Sequence, residues 1–295
     1  MGEGARPMSR RGGTLAVAVA VIAVAGFGLA IWSGTPWGGA GESRPLSTLA
    51  APVVKRLRII FPEGFTRREM AARVRAVREI AIEKRDVMPR LTEQRYLAAS
   101  RTAAPPVGFR KHAKGRIEGF LFPSTYEFTE YTTARKLVAD QLATFRKRWA
   151  KVDLRYARSK NLTPYDVLII ASMIEKETVA PEERRLVAAV IYNRLRKRMP
   201  LGIDATIRYG LNRAGTESLR KSDIESDNAY NTRRRNGLPP TPISNPGLAS
   251  MQAAANPARV DYVYYVRKPD KMHHFFTADE QVFLRKVCEY GFGCG

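Results

Sequence analysis

The 295-residue sequence has only two cysteines, Cys288 and Cys294, and both lie at its C-terminal end. Because no second pair with CxxC spacing accompanies them, the sequence gives no grounds for a structural zinc site. Two alternatives stay open for this pair: a small terminal disulfide loop, which an oxidising compartment would permit, or two free thiols. We expect neither a metal ion nor a cofactor.

Acidic residues are also few, with 28 Asp and Glu against 50 Lys and Arg, which gives a formal net charge of +22. Such an excess is typical of nucleic-acid-binding proteins, because phosphates attract clustered cations. The apolar segment described next argues against nucleic acid as a partner. Outside the cytoplasm, the same charge would meet anionic lipid head groups and anionic wall polymers.

One segment lacks charge altogether: residues 14–32, TLAVAVAVIAVAGFGLAIW. Its length is close to the roughly 20 residues that a bilayer-spanning helix needs. Arg6, Arg10 and Arg11 precede it with one acid, Glu3, which predicts a cytoplasmic N-terminus and extracytoplasmic C-terminal domains. A cleaved signal peptide is the alternative, but its apolar region is usually roughly 7 to 15 residues long. We therefore expect a single-pass anchor in the cell membrane.

The remaining chain divides by composition, and 44% hydrophobic residues suffice for a buried core. Residues 1–13 would form a cytoplasmic N-terminus, and the Gly-, Ser- and Pro-rich residues 33–52 a linker. Residues 53–115 predict a small βα domain and residues 116–295 a larger one. The expected fold class is α+β.

Local signals predict several elements of this fold. Thr66 is the expected N-cap of one helix, and residues 133–156 predict a basic amphipathic helix. The segment LTPYDVLIIASMIEKE predicts an apolar core helix with Thr163 as N-cap, Pro164 at its first position and Asp166 completing a capping box. A further helix should begin at Pro181, and the runs DYVYYVR and HHFF predict a β-hairpin.

Two glutamates, Glu175 and Glu177, end the predicted core helix. Burial beside an apolar helix would favour a protonated carboxyl, which can act as a general acid. Acidic residues are disfavoured at the C-terminal, negative end of a helix, which indicates that these two glutamates have a role other than stabilising the helix. The alternative is that both glutamates merely carry helix-end charge beside Lys176. Periodicity alone does not choose between the two.

Three separated stretches resemble the YceG-like family of endolytic murein transglycosylases: IEKETVAPEERRLVAAVIYNRLRKRMPLGIDATIRYG, DNAYNTRRRNGLPPTPISNPG and HHFF. The likeness covers roughly residues 53–287 and implies that the small domain is LysM-like. It implies a membrane-anchored lyase that cleaves peptidoglycan strands between N-acetylmuramic acid and N-acetylglucosamine, leaving 1,6-anhydro ends. By the family's motif, the catalytic residue would be Glu175, acting as a single acid and base. The resemblance also implies action on nascent strands, beside the cell-wall synthesis machinery.

The resemblance further implies a sugar-binding set, in which hydroxyls find hydrogen-bond partners and sugar rings stack on aromatic faces. Its members are Glu118, Asp204, Thr206, Tyr230, Asn231 and Thr232. For each of them, a loop-shaping role is the open alternative. The chain departs from the family's pattern at Ser124, Gly202 and Arg233.

These departures keep a second function open, namely a non-catalytic, membrane-anchored peptidoglycan-binding protein. A third, an anchored nucleic-acid binder, would show binding with a steep salt dependence. We favour the transglycosylase.

Overall fold

The structure is a computed structural model that describes residues 54–293. The predicted N-terminus, membrane segment 14–32 and linker, as well as Cys294, lie outside these residues. Among residues 54–293 there is no helix with both the length and the apolar character needed to cross a bilayer.

The described chain mixes helices with two small sheets, which confirms the α+β class. The strands are β1 (Leu57–Ile60), β2 (Thr125–Phe128), β3 (Tyr264–Arg267) and β4 (His274–Thr277). The helices are α1 (Arg67–Arg85), α2 (Glu93–Thr102), α3 (Arg110–Ala113), α4 (Ala134–Trp149), α5 (Arg155–Ser159), α6 (Pro164–Glu177), α7 (Arg184–Arg196), α8 (Asp204–Gly210), α9 (Lys221–Ile224), α10 (Leu248–Ala255) and α11 (Glu280–Glu289). Short 3₁₀ turns span Val107–Phe109 and Pro181–Glu183.

Both sheets are antiparallel pairs. The strands β3 and β4 form the predicted hairpin, with Tyr264 opposite Thr277 and Arg267 opposite His274. The strands β1 and β2 pair across a long sequence separation, with Leu57 opposite Phe128. This second pairing joins the predicted small and large domains, and residues 52–295 form one compact unit. The division at residue 115 and its LysM-like part therefore stay predictions.

The helix α6 lies in the centre of the core, as its apolar sequence predicts. Its capping box is confirmed: the Thr163 hydroxyl accepts from the Asp166 amide at 3.2 Å, and the Asp166 carboxylate accepts from the Thr163 amide at 2.8 Å. The helix packs closely against α10. Ser172, its one polar residue within the buried stretch, accepts from the Ile243 amide at 3.0 Å. The loop before α10 is therefore tied to α6.

Two helix predictions need correction. The predicted helix over 133–156 ends at Trp149, and α5 begins only at Arg155. The amides of Lys151 and Val152 form turn bonds to the carbonyls of Arg148 and Trp149. Asp153 lies in this interruption, and its carboxylate accepts from the Arg155 amide at 3.0 Å, which favours a local turn over a continued helix. The helix predicted to begin at Pro181 has a 3₁₀ first turn, so α7 begins at Arg184.

Candidate active site

A cavity of about 850 Å³ opens beside the C-terminal end of α6. Its wall comes from the start of α1, the segment before β2, α8 with the loop after it, and residues 241–243. Three glutamates line it, Glu69, Glu118 and Glu177, together with the rings of Tyr209 and Tyr230. The cavity thus combines acids with aromatic faces, as a sugar-cleaving site requires.

Glu177 is the last residue of α6 and lies in the cavity wall. Its Oε2 accepts a hydrogen bond of 2.9 Å from the hydroxyl of Tyr265. Burial raises the pKa of Glu177, and the charge of Asp204 acts in the same direction, whereas the hydrogen bond from Tyr265 opposes the rise. A raised pKa favours the protonated form of the carboxyl, which is the form that can act as a general acid.

Behind Tyr265, a second pair of residues fixes the position of β4 against α7. The Nδ1 atom of buried His274 lies 2.7 Å from a carboxylate oxygen of Glu183, whose other oxygen accepts from the His274 amide at 2.8 Å. The imidazole packs edge-on against Tyr265, with ring centroids 5.3 Å apart. The pair therefore supports the tyrosine that contacts Glu177. From the sequence, Glu183 is one of the acids after Pro181 and His274 one of the histidines of the predicted hairpin. Neither pattern indicates more than a structural role.

Glu118 is more enclosed than Glu177, and only 9% of it is exposed. Burial raises its pKa to about 7, although three hydrogen bonds stabilise its charged form. These come from the Arg67 amide at 2.9 Å, the Asn245 side chain at 2.8 Å and the Tyr209 hydroxyl at 3.2 Å. Glu118 thus both lines the cavity and anchors a loop. The sequence left these two roles open as alternatives, and the structure has both.

Asn245 was not singled out from the sequence, yet it holds this corner of the cavity together. Its side-chain oxygen accepts from the amides of Gly119 and Leu121, both at 2.9 Å, while its nitrogen also donates to the Phe65 carbonyl at 2.9 Å. Gly119 has φ +90°, and a Cβ there would lie 2.7 Å from Pro242. The EG pair at 118–119 is thereby fixed against the loop that contains Asn245.

Glu175, which the resemblance makes catalytic, is not among the residues that line the cavity. Its side chain is 6% exposed, its Oε2 accepts from the Gly247 amide at 2.9 Å, and Arg184 lies 3.8 Å from its Oε1. Two positions along an α-helix turn the side chain by about 200°, so Glu175 and Glu177 leave α6 in opposite directions. The catalytic role of Glu175 stays a prediction.

Glu63 lies on the same side as Glu175. Burial raises the pKa of Glu63, and the charge of Glu175 adds to the rise, while Arg184 opposes it. A Cβ on Gly247 would overlap the Glu63 carboxylate. This cluster ties the turn after β1 to the ends of α6 and α7, which is a structural role.

The other predicted sugar-binding residues divide into two groups. The Tyr230 ring lines the cavity edge-on to Tyr209, with centroids 5.1 Å apart, and its hydroxyl lies 2.8 Å from that of Thr241. Asp204 does not line the cavity, but it begins α8 close enough to act on Glu177 and pairs with Arg233 at 2.7 Å. The departure at Arg233 thus supplies an ion-pair partner for Asp204.

The remaining three residues are buried and bonded within the protein. The hydroxyls of Thr206 and Thr232 lie 3.0 Å apart, and Thr232 also accepts from the Ile203 amide at 3.0 Å. The Asn231 side chain donates to the carbonyls of Ile224 and Ser226. In this arrangement they shape the loops around α8, so direct contact of these three with a sugar stays a prediction.

Comparison with known proteins agrees with the resemblance seen in the motifs. An endolytic murein transglycosylase of Bacillus subtilis is 30% identical over 214 residues, 71% of this chain and 59% of that protein. One of Streptococcus pneumoniae is 34% identical over 184 residues, 60% of this chain and 33% of that protein. This chain therefore spans less than two thirds of the length of these relatives.

A crystal structure of a yceG-like protein from Listeria monocytogenes matches with a TM-score of 0.63 and 27% identity, covering 78% of this chain and 75% of that chain. The family model described as the YceG-like family matches residues 41–289. That match takes in every strand and helix named above, together with all the residues that line the cavity, and so the chain belongs to the YceG-like family.

Proposed function

We propose that this chain is an endolytic lytic transglycosylase, a carbon–oxygen lyase that cuts peptidoglycan between N-acetylmuramic acid and N-acetylglucosamine and leaves 1,6-anhydro ends. Family membership and the similarity to proteins named endolytic murein transglycosylases support this function. The single observation that carries it is Glu177, a carboxyl with a raised pKa in the wall of an 850 Å³ cavity lined by tyrosines.

One carboxyl suffices for this reaction. Protonated Glu177 gives its proton to the glycosidic oxygen while the C1–O bond breaks and an oxocarbenium-like state forms. The resulting carboxylate then takes the proton from the muramoyl 6-hydroxyl, whose oxygen forms the new bond to C1. The acid returns to its starting state, and no water is consumed. Tyr265 orients the carboxyl and stabilises it while it is charged.

Geometry favours Glu177 over the two other candidate acids. Glu175 contacts the Gly247 amide and Arg184 and is not among the residues that line the cavity. Glu118 lines the cavity, but its two oxygens already accept three hydrogen bonds from the protein. We assign Glu118 a supporting role in which it holds Tyr209 at the cavity wall.

The test compares muropeptides released from purified peptidoglycan by the full-length chain and by two matched variants, Glu175→Gln and Glu177→Gln, using mass spectrometry. We expect anhydro-ended products from the parent, a loss of rate of at least about 10²-fold in Glu177→Gln, and near-parental rates in Glu175→Gln. Thermal melting monitored by circular dichroism serves as the folding control for each variant.

Other outcomes would revise the proposal in defined ways. Loss of product in Glu175→Gln alone would return the acid role to Glu175. Reducing ends in place of anhydro ends would indicate a hydrolase that activates water. Bound but uncut strands would favour the non-catalytic peptidoglycan-binding protein that the sequence leaves open.

Location and cellular role belong to the same proposal. A membrane anchor at 14–32 would keep the catalytic unit close to the outer surface of the cell membrane. From there the enzyme would cut newly made strands and end their elongation, beside the synthesis machinery. Protease accessibility of the C-terminal part in intact spheroplasts tests this orientation.

A further inference from the structure

The cavity wall is richer in positive charge than the chain as a whole. Seven of the 22 residues that line it are Arg or Lys, against 50 of 295 in the whole sequence. Only three lining residues are acids, namely Glu69, Glu118 and Glu177. The seven cations are Arg67, Arg68, Arg101, Arg116, Lys176, Arg208 and Arg213.

Several of these cations already have partners. Arg213 forms ion pairs with Asp223 at 2.9 Å and with Glu217 at 3.3 Å. The ammonium group of Lys176 lies 3.9 Å from Glu69. The guanidinium of Arg67 donates to the Leu97 carbonyl at 3.2 Å and to Ser100. Arg68 bonds to the Asn212 side chain and Arg208 donates to the Glu217 carbonyl at 2.9 Å. These groups help to build the wall.

Arg101 and Arg116 differ from the others. Both are exposed, and within residues 54–293 neither guanidinium has a hydrogen-bond or ion-pair partner. Arg101 lies in the last turn of α2, and Arg116 lies two residues before Glu118. Two unpaired guanidinium groups therefore border the cavity that contains the acids.

We propose that Arg101 and Arg116 bind carboxylates on the peptide branches of the glycan strand, so that the cavity prefers branched strands over bare ones. This inference rests on the proposed function, since it names the substrate class of the same cavity. The sugar backbone offers neutral hydroxyls and amides, whereas the peptide branches supply free carboxylates. A guanidinium group matches a carboxylate with two parallel hydrogen bonds, which a lysine at the same place would not form.

The test measures binding without cleavage, by isothermal titration calorimetry on the full-length chain carrying Glu177→Gln. Three preparations of soluble glycan strand serve as ligands: strands with intact peptide branches, strands whose branch carboxylates are converted to amides, and strands stripped of peptides. Stripping leaves the lactyl carboxylate of each muramic acid free. The three ligands therefore distinguish branch carboxylates from the carboxylate of the sugar itself.

We expect the intact strands to bind about tenfold more tightly than either other preparation, since exposed ion pairs are weak singly and two act together here. Adding Arg101→Gln and Arg116→Gln should abolish that advantage. The matched control, Arg135→Gln with Arg146→Gln, removes the same charge from exposed positions of α4 outside the cavity and should keep the advantage. Raising the salt concentration should reduce the advantage in the parent.

Four results would overturn the inference. Equal binding of intact and amidated strands would mean that the branch carboxylates are not recognised. If stripped strands bound as tightly as intact strands, the carboxylate recognised by the protein would be the lactyl carboxylate of the sugar. An advantage that survives in the Arg101 and Arg116 double variant would place the recognition elsewhere. Binding of none of the strands would remove the proposed function as well, whereas binding without discrimination removes the inference alone.

Discussion

At the scale of single residues, the decisive question is which glutamate at the end of α6 faces the cavity. The sequence predicts that the helix ends in two acids, and it predicts nothing about which surface each one meets. That depends on the chain segments that pack around the last turn, here the loop at Gly247 on one side and β3 on the other. Both segments are distant in the sequence, so periodicity could not separate Glu175 from Glu177.

Tyr265 provides a test of the Glu177 assignment. Its hydrogen bond stabilises the charged carboxylate, so Tyr265→Phe should raise the pKa of Glu177 further. A general acid works in its protonated form, and therefore the alkaline limb of the pH profile of kcat/KM should move to higher pH by about 0.5 to 1 unit. The rate of anhydro-product release, measured from pH 4 to pH 9, checks this shift.

The neighbouring tyrosine of the same strand is the matched control. Tyr264 stacks on Phe283 with centroids 5.0 Å apart, on the face of β3 opposite Tyr265. Tyr264→Phe should leave the pH profile in place. A loss of stability without any movement of the alkaline limb in Tyr265→Phe would mean that this tyrosine only packs.

At the scale of elements, local sequence signals were sufficient wherever the partners lie within a few residues. The N-cap at Thr66, the capping box at Thr163 and the hairpin of β3 and β4 depend on residues close in sequence, and the structure has them as predicted. Signals failed where a local competitor interrupts a periodic pattern, as Asp153 does between α4 and α5. Local signals gave no indication of the role of Asn245, because its partners Gly119 and Glu118 lie more than 120 residues away in the sequence.

The cap of α6 gives a stability prediction. The Thr163 hydroxyl accepts from the Asp166 amide and also donates to the Asp166 carboxylate at 2.7 Å. Thr163→Ala should therefore lower the free energy of unfolding by about 1 kcal/mol, while Thr163→Ser should retain most of it. Urea unfolding at constant pH measures both variants. Equal stability of the alanine and serine variants would show that the hydroxyl contributes nothing.

At the scale of the whole molecule, the cavity depends on contacts that join distant parts of the chain. Composition predicts a boundary near residue 115, yet Arg67 from the N-terminal part donates its amide to Glu118, and β1 pairs with β2. The sequence could predict which segments are helical and which motifs carry chemistry. It could not predict that Glu118, Glu177 and the tyrosines would share one cavity, because that arrangement results from long-range packing.

Glu118 connects this packing to the stability of the entire fold. Its pKa of about 7 in the folded protein exceeds the ordinary glutamate pKa of 4.5, so the folded state binds the proton more tightly than the unfolded state. Its stabilising contribution is therefore complete below about pH 4.5 and is lost as the pH rises through 7. Between pH 5 and pH 8 the loss should amount to about 2 to 3 kcal/mol.

The variant Glu118→Gln isolates this effect, because glutamine keeps the shape of the side chain and does not titrate. Other groups change stability in the same pH range, but they do so equally in both proteins. The free energy of unfolding of the parent should therefore fall between pH 5 and pH 8 by about 2 to 3 kcal/mol more than that of Glu118→Gln. Urea titrations of the parent and of Glu118→Gln, each at pH 5 and at pH 8, measure the four free energies of unfolding. Parallel pH dependences would mean that Glu118 is charged in the folded protein throughout, with its charge fully stabilised by Arg67, Asn245 and Tyr209.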